Sequence, residues 1–343
     1  MSVPHTPTCA ILDACGACDR MSLSYEDQLR LKVQETQSRL RHDITATHPS
    51  PQQVGYRARV RMRFNAHGEL GYHAVGTHQH IAASSCAIAA APIRRVLPLL
   101  SGGPEGCTVE IRTDGSRVQL DAQAPRGPKR KPLRQWLGAL DLEQAGIAGI
   151  SINGKRLRGR THLEFDVCDI HHRLSPGTFY QVNLELNRAL VARVVDWTKM
   201  QEPARVLDLY SGAGNLSLPL AADGIPVTMV ESSKSAIGDA KECIRRMGLD
   251  VQVHVGDAGR FKGGDHFFDI AILDPPRAGA PGVVDQLLVT RPRAFAYVSC
   301  NPRSLTRDLA PALRSGYQLA GLELFDMFPQ TSHSEVLALL TRV

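Results

Sequence analysis

Polar clusters of the kind found in catalytic sites follow two short apolar runs in the C-terminal half of the chain. The run 294–298 ends in Ser299-Cys300-Asn301-Pro302, and a cysteine exposed at the end of a buried strand is a candidate nucleophile. The run 269–273 ends in Asp274-Pro275-Pro276-Arg277, which adds a carboxylate and a cation. These residue types predict a thiol nucleophile beside a ligand-binding crevice.

The stretch from Val206 to Asn215 predicts a strand, a turn and a helix that together bind a nucleotide. Residues 206–210 suit a buried parallel strand, and a turn with two glycines leads into a helix that begins near Leu216. Glu231 follows the next predicted strand, at the distance where an acid would bind ribose hydroxyls. Ser217 replaces the third glycine of the dinucleotide fingerprint, which favours a single nucleoside such as S-adenosylmethionine over NAD.

The composition restricts the class of protein. With 343 residues and 43% hydrophobic content, the chain can bury large cores, and its length predicts roughly two to three domains. The N-terminus lacks a basic segment followed by an apolar one, and no apolar run reaches the roughly 20 residues that span a bilayer, so we expect a cytoplasmic protein. The net charge of +6 permits a polyanionic partner without requiring one.

The eight cysteines favour metal binding or catalysis over disulfides in a cytoplasmic chain. Three of them form a C-x5-C-x2-C pattern that could converge on one metal centre: Cys9, Cys15 and Cys18. We expect Cys86 to be the fourth ligand, because Cys107 and Cys168 lie in runs that are typical of buried strands. Zinc and a four-iron cluster both fit four thiolates.

The segment 55–170 is predicted to form a β-rich domain with a basic surface. Its clearest strand alternates apolar residues, from Tyr56 to Phe64, with four arginines: Arg57, Arg59, Arg61 and Arg63. Arginines without interleaved acids repel each other, which favours a polyanionic partner over a merely solvated face. A basic loop from Arg126 to Arg134 and a basic segment after the predicted turn at Asn153-Gly154 support this interpretation.

The flanking segments have simpler patterns. Residues from Ser24 to His42 suit one amphipathic helix, and Thr47 to Gln53, with two prolines, is predicted to be a linker. Ser175-Pro176-Gly177 marks a boundary. The residues after it lead into a helix that ends near Lys199.

Five segments of the C-terminal half resemble, in order, the motifs of the RNA uracil-5-methyltransferases. They are Phe179-Tyr180-Gln181-Val182-Asn183, the stretch Asp208 to Asn215, Asp274 to Gly279, Ser299-Cys300-Asn301-Pro302, and Phe325 to Thr331. The cysteine-rich N-terminus is similar to that of the iron-sulfur members. The segment Ser299 to Val343 looks most like bacterial enzymes that methylate 23S ribosomal RNA. The chain starts at the cysteine cluster, so we expect no small β-barrel RNA-binding domain before it.

The resemblance implies an α/β fold, with a doubly wound class I methyltransferase (Rossmann-like) domain after a smaller β-rich domain and a cysteine-cluster segment. We expect the cysteine-cluster segment and its helix to cover residues 1–50. The basic β-rich RNA-binding domain, which contributes Cys86, is expected to cover residues 51–172. The S-adenosylmethionine-dependent methyltransferase domain would then cover residues 173–343.

The resemblance also implies roles for individual residues. Cys300 matches the nucleophile that adds to C6 of uracil, and Glu335 matches the base that removes the C5 proton. Arg277 stands where amine-methylating enzymes carry an aromatic residue, and it is expected to contact the target nucleotide. The S-adenosylmethionine pocket would contain Gln181, Tyr210, Asn215, Glu231, Asp257 and Asp274. A 4Fe-4S cluster would be held by Cys9, Cys15, Cys18 and Cys86.

The expected activity is 5-methylation of a uridine in 23S ribosomal RNA. We expect a monomer that binds neither DNA nor membranes. The T-loop uridine of transfer RNA is the alternative substrate. A non-catalytic RNA-binding factor is the alternative from another functional class.

Overall fold

The computed structural model describes residues 9–74, 76–125, 130–261 and 267–343, which form two large sheets, a separate hairpin and surrounding helices. The strands are β1 (Ala46–His48), β2 (Arg59–Phe64), β3 (Leu70–His73), β4 (His80–Ala82), β5 (Thr108–Thr113), β6 (Val118–Gln123), β7 (Ile147–Ile152), β8 (Lys155–Gly159), β9 (Leu163–Val167), β10 (Ile170–Leu174), β11 (Val206–Leu209), β12 (Val227–Glu231), β13 (Val251–Val255), β14 (Ile270–Leu273), β15 (Ala294–Ser299), β16 (Tyr317–Phe325) and β17 (Glu335–Arg342). The α-helices are α1 (Leu12–Cys15), α2 (Tyr25–Leu40), α3 (Ala91–Val96), α4 (Arg130–Ala139), α5 (Leu142–Ala145), α6 (Leu184–Met200), α7 (Leu218–Ala222), α8 (Lys234–Met247), α9 (Val283–Thr290) and α10 (Pro302–Arg314). No helix in these ranges is long and apolar enough to cross a membrane.

The C-terminal half has the doubly wound α/β fold that the sequence predicts. Its sheet has the strand order β1-β16-β17-β15-β14-β11-β12-β13. Alternate residues of β11 point to opposite faces, so that Val206 packs with α6, α7 and α8 while Leu207 packs with α9 and α10. Because β11 to β15 run parallel, their carboxyl ends meet at one edge of the sheet, where ligands bind in such folds.

The segment predicted to be a linker, Thr47 to Gln53, begins within a strand instead. β1 pairs in parallel with β16, and the His48 ring stacks on Phe325 with 4.0 Å between ring centroids. The prolines Pro49 and Pro51 follow the strand and end it. Pairing with the free edge of β16 therefore overrides the turn signal of this segment.

The predicted N-terminal helix is α2, and it buries charged and polar side chains. Lys32 Nζ lies 2.5 Å from Asp326 Oδ1 and donates to the Phe328 carbonyl oxygen at 3.0 Å. Both charged side chains of this pair are fully buried. Four residues earlier on α2, Gln28 Nε2 donates to Gln330 Oε1 at 2.9 Å. These contacts tie α2 to the segment that follows β16.

β2 has the predicted alternation of buried apolar residues and arginines. Its apolar side chains lie in the core of the second sheet, whose strand order is β4-β3-β2-β5-β6-β7-β8. Arg61 and Arg63 are exposed, whereas Arg57 and Arg59 are half-buried. The register places Glu110 of β5 opposite Arg61. Glu110 therefore interrupts the basic face. The sequence of β2 alone could not indicate this, because the acid comes from the neighbouring strand.

The structure corrects two local predictions and confirms a third. The predicted basic loop at Arg126 to Arg134 is partly wrong, because Arg130–Ala139 forms α4; residues 126–129 lie outside the described residues. The predicted turn at Asn153-Gly154 joins β7 to β8 with φ values of 52° and 75°, as Asn-Gly turns require. Cys168 lies in the turn between β9 and β10 with a φ of 45°, and not within a strand as predicted.

Replacing Lys32 by methionine tests the anchor between α2 and Asp326. The substitution leaves the buried Asp326 carboxylate without its ionic partner, so the free energy of unfolding should fall by about 3–5 kcal/mol. Urea unfolding followed by circular dichroism measures this change. The double variant Lys32→Met/Asp326→Leu removes both charges and should recover most of the loss. Equal losses in the single and double variants would contradict the role of the ion pair.

Candidate active site

The turn after β11 has the backbone of a ligand-binding loop. Tyr210, Gly212 and Gly214 have φ values of 62°, 56° and 85°. A Cβ atom at Gly214 would lie 2.4 Å from Leu218 Cγ, so only glycine fits there. α7 begins at Leu218, two residues later than the sequence predicts. The tight turn leaves backbone groups available to a ligand.

Two of the predicted cofactor-binding side chains are fixed next to this turn. Glu231 Oε2 accepts a hydrogen bond from Gly212 N at 3.0 Å, and Glu231 Oε1 accepts from Ser233 N at 2.6 Å. Asn215 makes two hydrogen bonds of 3.0 Å with the side chain of Asn187 on α6. Backbone N–H groups therefore fix the Glu231 side chain, and Asn187 of α6 fixes the Asn215 side chain.

Asp257 lies at the same edge of the sheet. The register pairs Glu231 with Val255 of β13, and Asp257 follows two residues later. Its side chain is exposed, and its Oδ1 accepts from Gly259 N at 2.9 Å. This hydrogen bond caps the short 3-10 helix Ala258–Arg260.

Gln181 lies on the segment that joins the two sheets, and buried side chains from both sides hold that segment. Arg112 of β5 donates to the Ser175 and Thr178 carbonyl oxygens at 3.0 and 3.2 Å. Asp239 of α8 accepts from the hydroxyl groups of the same two residues at 2.6 and 2.5 Å. Gln181 itself is buried. The position of this predicted cofactor residue therefore depends on both parts of the chain.

Asp208 is a buried carboxylate that the sequence analysis did not select. Its Oδ2 accepts a hydrogen bond from the Ser217 hydroxyl at 2.5 Å, and its Oδ1 has no partner among the described residues. Burial raises the pKa of Asp208 to about 8, although the Ser217 hydrogen bond acts in the opposite direction. A single carboxylate inside an apolar strand was the signal that could have identified it.

The register of β17 brings Cys300 next to Glu335. β15 and β17 are antiparallel, and Ser299 lies opposite Val336. Cys300 and Glu335 each lie one residue beyond this pair, and the Glu335 carboxylate is close enough to raise the pKa of the Cys300 thiol. The two predicted catalytic residues, 35 positions apart in the sequence, are therefore brought together by one strand pairing.

Asp274, Glu335 and Cys300 influence one another electrostatically. Glu335 is 2% exposed, and burial together with the Asp274 carboxylate raises its pKa well above the usual range. Burial raises the pKa of Asp274 to about 7. Burial, Glu335 and Asp274 raise the pKa of Cys300 to about 11, and the Arg277 guanidinium acts in the opposite direction. In the free site at neutral pH, Cys300 is therefore a protonated thiol.

Cys300 lines a cavity of about 340 Å³, which Arg277 also lines. The volume lies near the lower end of the roughly 300–1,000 Å³ typical of small-ligand sites. α10 begins at Pro302 beside the cavity, and Asn301 caps it by accepting from Arg303 N at 3.1 Å. The cavity is thus large enough for one base, with the candidate nucleophile in its wall.

The four predicted metal-ligating cysteines line a second cavity, of about 370 Å³: Cys9, Cys15, Cys18 and Cys86. Burial raises the pKa of Cys18 to about 12, and the other three thiols act in the same direction. No three His, Cys, Asp or Glu side chains in the described part of the chain are close enough to hold one metal ion. His333 lines both this cavity and the Cys300 cavity.

Comparisons with known proteins identify the family. The family model for tRNA (Uracil-5-)-methyltransferase matches residues 260–343, and a methyltransferase-domain model matches residues 206–275. The 23S rRNA (uracil(1939)-C(5))-methyltransferases RlmD of Shewanella halifaxensis and Shewanella woodyi are each 32% identical to this chain, over 97% of its length and 81% of theirs. The chain belongs to the RNA uracil-5-methyltransferase family. The resemblance found in the sequence is thereby confirmed.

A solved structure confirms the fold of this RNA uracil-5-methyltransferase. The tRNA (uracil-54, C5)-methyltransferase of Pyrococcus abyssi, in complex with S-adenosyl-L-homocysteine, superimposes with a TM-score of 0.78 at 24% identity. The match covers 94% of this chain and 85% of the Pyrococcus chain.

The pH dependence of Cys300 alkylation tests the electrostatics of the site. Neighbouring carboxylates oppose a further negative charge, so the thiol should stay protonated well above neutral pH. We expect the rate of iodoacetamide modification, measured by mass spectrometry of the Cys300 peptide, to rise through a midpoint near pH 11. Glu335→Gln should lower that midpoint. The unfolded protein in urea is the reference, with a midpoint near 8.5; the same value in the folded protein would contradict the assignment.

Proposed function

We propose that this chain methylates C5 of a uridine in 23S ribosomal RNA, with S-adenosylmethionine as methyl donor, and that it acts in the cytoplasm. The observation that carries the proposal is the proximity of the Glu335 carboxylate to Cys300, which lines a base-sized cavity, in a chain whose relatives are named 23S rRNA uracil-5-methyltransferases. C5 of uracil is a poor nucleophile. The reaction therefore needs a thiolate to activate C5 and a base to remove its proton.

The proposed reaction has three steps, which are addition, methyl transfer and elimination. The Cys300 thiolate adds to C6, and the electron pair of the C5–C6 double bond is delocalised onto C5 and O4. C5 forms a bond to the methyl carbon supplied by S-adenosylmethionine, as the bond from that carbon to sulfur breaks. Glu335 removes the proton from C5, the C5–C6 double bond forms again, and the bond from C6 to Cys300 breaks. One hydrogen of uracil is replaced by a methyl group, and its proton stays on Glu335.

The two carboxylates beside Cys300 suit these proton transfers. The pKa of Asp274 is raised to about 7 and that of Glu335 is raised well above its usual range, so each is a stronger base than an ordinary carboxylate. Asp274 can take the thiol proton when Cys300 attacks, which leaves Glu335 free to accept the proton from C5. Arg277, which lowers the pKa of the thiol, would contact the target nucleotide from the wall of the same cavity.

We assign the methyl donor to the carboxyl edge of the sheet and the segment before α6. The residues that would hold it are Gln181, Tyr210, Asn215, Glu231, Asp257 and Asp274. Glu231 can accept from a ribose hydroxyl, because a carboxylate has about four acceptor positions and three are used here, by two backbone N–H groups and the Ser232 hydroxyl. Asp257, exposed beyond β13, would lie near the adenine.

The β-rich domain, assigned to residues 51–172, would bind the RNA around the target. Its exposed Arg61 and Arg63 can neutralise phosphates. The target base must leave its stack, which costs a few kcal/mol and favours loops over duplex RNA. The T-loop uridine of transfer RNA is the second candidate substrate, because the matching family model is described by a tRNA activity.

We also propose that Cys9, Cys15, Cys18 and Cys86 hold a 4Fe-4S cluster. Two observations support this proposal. The four thiols are free and line one cavity. No three of the described His, Cys, Asp or Glu side chains are close enough to hold a single metal ion. Four cysteine thiolates are the usual ligands of such a cluster. The proposed methyl transfer requires no electron, so we assign the cluster a structural role.

Variants of the two catalytic residues test the proposed reaction. Cys300→Ala should reduce the transfer of tritiated methyl groups into unmodified 23S transcript by at least about 10³-fold. Glu335→Gln should still transfer the methyl group but fail to eliminate, so that RNA stays covalently attached to Cys300 in a denaturing gel. The double variant should form no adduct. Mass spectrometry should locate 5-methyluridine in the product.

Two outcomes would contradict this proposal, the first in its substrate and the second in its reaction. Methylation of a transfer RNA transcript with 23S transcript left unmodified would make transfer RNA the substrate. Rescue of a deletion strain by Cys300→Ala would favour a non-catalytic RNA-binding factor instead.

Metal analysis after anaerobic purification tests the cluster. We expect about four iron and four sulfide per chain, with visible absorption that Cys18→Ala or Cys86→Ala largely removes. Cys168→Ala, which changes a cysteine outside the cavity, is the matched control and should keep full iron content. Stoichiometric zinc without iron would contradict the assignment.

A further inference from the structure

Three arginines line the Cys300 cavity, and only Arg277 belongs to a motif of the RNA uracil-5-methyltransferases. Arg39 comes from the last turn of α2, and Arg303 comes from the first turn of α10. All three are exposed, and their side chains have no hydrogen bond or ion pair with any residue in the described ranges. The acidic side chain that lines the same cavity, Glu35, is already paired with Arg20.

These guanidinium groups form no ion pair within the described protein. Groups of one sign around a small cavity repel one another, and a bound polyanion relieves that repulsion. The planar fork of arginine matches the oxygens of a phosphate. The N-terminus of α10 faces the same cavity and adds partial positive charge. The chemistry of this rim therefore fits an RNA backbone better than a neutral or cationic ligand.

We propose that Arg39 and Arg303 form a phosphate clamp, in which the two arginines bind the RNA phosphates on either side of the extruded uridine. This inference rests on the proposed function. The base and the phosphates of a nucleotide lie on different sides of the ribose. A uracil placed against Cys300 in this base-sized cavity would leave its 5′ and 3′ phosphates outside it, within reach of Arg39 and Arg303, which line the cavity and are exposed.

The clamp gives the N-terminal segment a direct part in substrate binding. Arg39 lies on α2, which the Lys32–Asp326 pair fixes against the methyltransferase sheet. Arg303 lies on α10, directly after the motif that carries Cys300. The two arginines thus approach the cavity from separate elements. Because they contact phosphates, they should bind RNA without regard to its sequence.

Substitutions of the two arginines test the clamp. Arg39→Gln and Arg303→Gln should each raise KM for RNA roughly tenfold, as expected for the loss of one charge-assisted contact. The value of kcat and the dissociation constant for S-adenosylmethionine should stay nearly constant. The slope of log affinity against log salt should fall by about 0.7 per arginine if the bound strand is single. Arg314→Gln, which changes an exposed arginine at the other end of α10, is the matched control and should behave as wild type.

Neutral backbone linkages distinguish a phosphate contact from a general loss of charge. Oligonucleotides that carry the uridine mapped in the methylation assay are prepared with a methylphosphonate on its 5′ or its 3′ side. Each arginine variant should lose roughly tenfold in affinity for the all-phosphate RNA, but little for the RNA neutralised at the linkage it contacts. Equal losses for all three RNAs would overturn the clamp.

The outcome for the wild type separates the two proposals. If wild-type protein methylates neither 23S nor transfer RNA transcripts, the proposed function fails and the clamp fails with it. If wild-type methylation is normal and both arginine variants keep the wild-type KM for RNA, the clamp alone is overturned.

Discussion

The antiparallel insertion of β17 between β15 and β16 is the constraint on which the candidate active site depends. It sets Ser299 opposite Val336, and so places Cys300 beside Glu335 at the edge where the parallel strands end. A shift of one residue in this register would turn Glu335 to the other face of the sheet. The buried anchor from Lys32 to Asp326 holds the segment between β16 and β17, and so restricts that shift. Catalytic geometry and core stability therefore depend on the same strand pairing.

The features that the sequence predicted are those that local chemistry determines. The turn after β11 needs glycines at positive φ, and Asn153-Gly154 needs a turn that tolerates positive φ at both positions, so both can be recognised from a few adjacent residues. The predicted helix α2 was recognised from its amphipathic pattern, but its buried lysine was not, because the partner lies 294 residues away. β1 forms because β16 offers a free edge. Arg39 and Arg303 acquire significance only when the helices place them around a site.

The cysteine segment is physically joined to the wall of the Cys300 cavity. Asp19 Oδ1 accepts a hydrogen bond from Ser332 N at 2.7 Å, and Arg20 N donates to the Gln330 carbonyl oxygen at 3.0 Å. His333 lines both cavities. The loop that leads into Glu335 is thus supported by the residues directly after Cys18. A metal centre that orders this segment would stabilise the active-site wall without taking part in electron transfer, which is the physical basis for a structural role.

The distribution of charge determines when Cys300 can ionise. The floor of the site contains carboxylates whose pKa values are raised by burial, to about 8 for Asp208 and about 7 for Asp274. When ionised, the Asp274 and Glu335 carboxylates oppose a thiolate at Cys300. The Arg277 guanidinium favours the thiolate. In the free protein at neutral pH, the Cys300 thiol therefore stays protonated, which makes it react slowly with oxidants and alkylating agents.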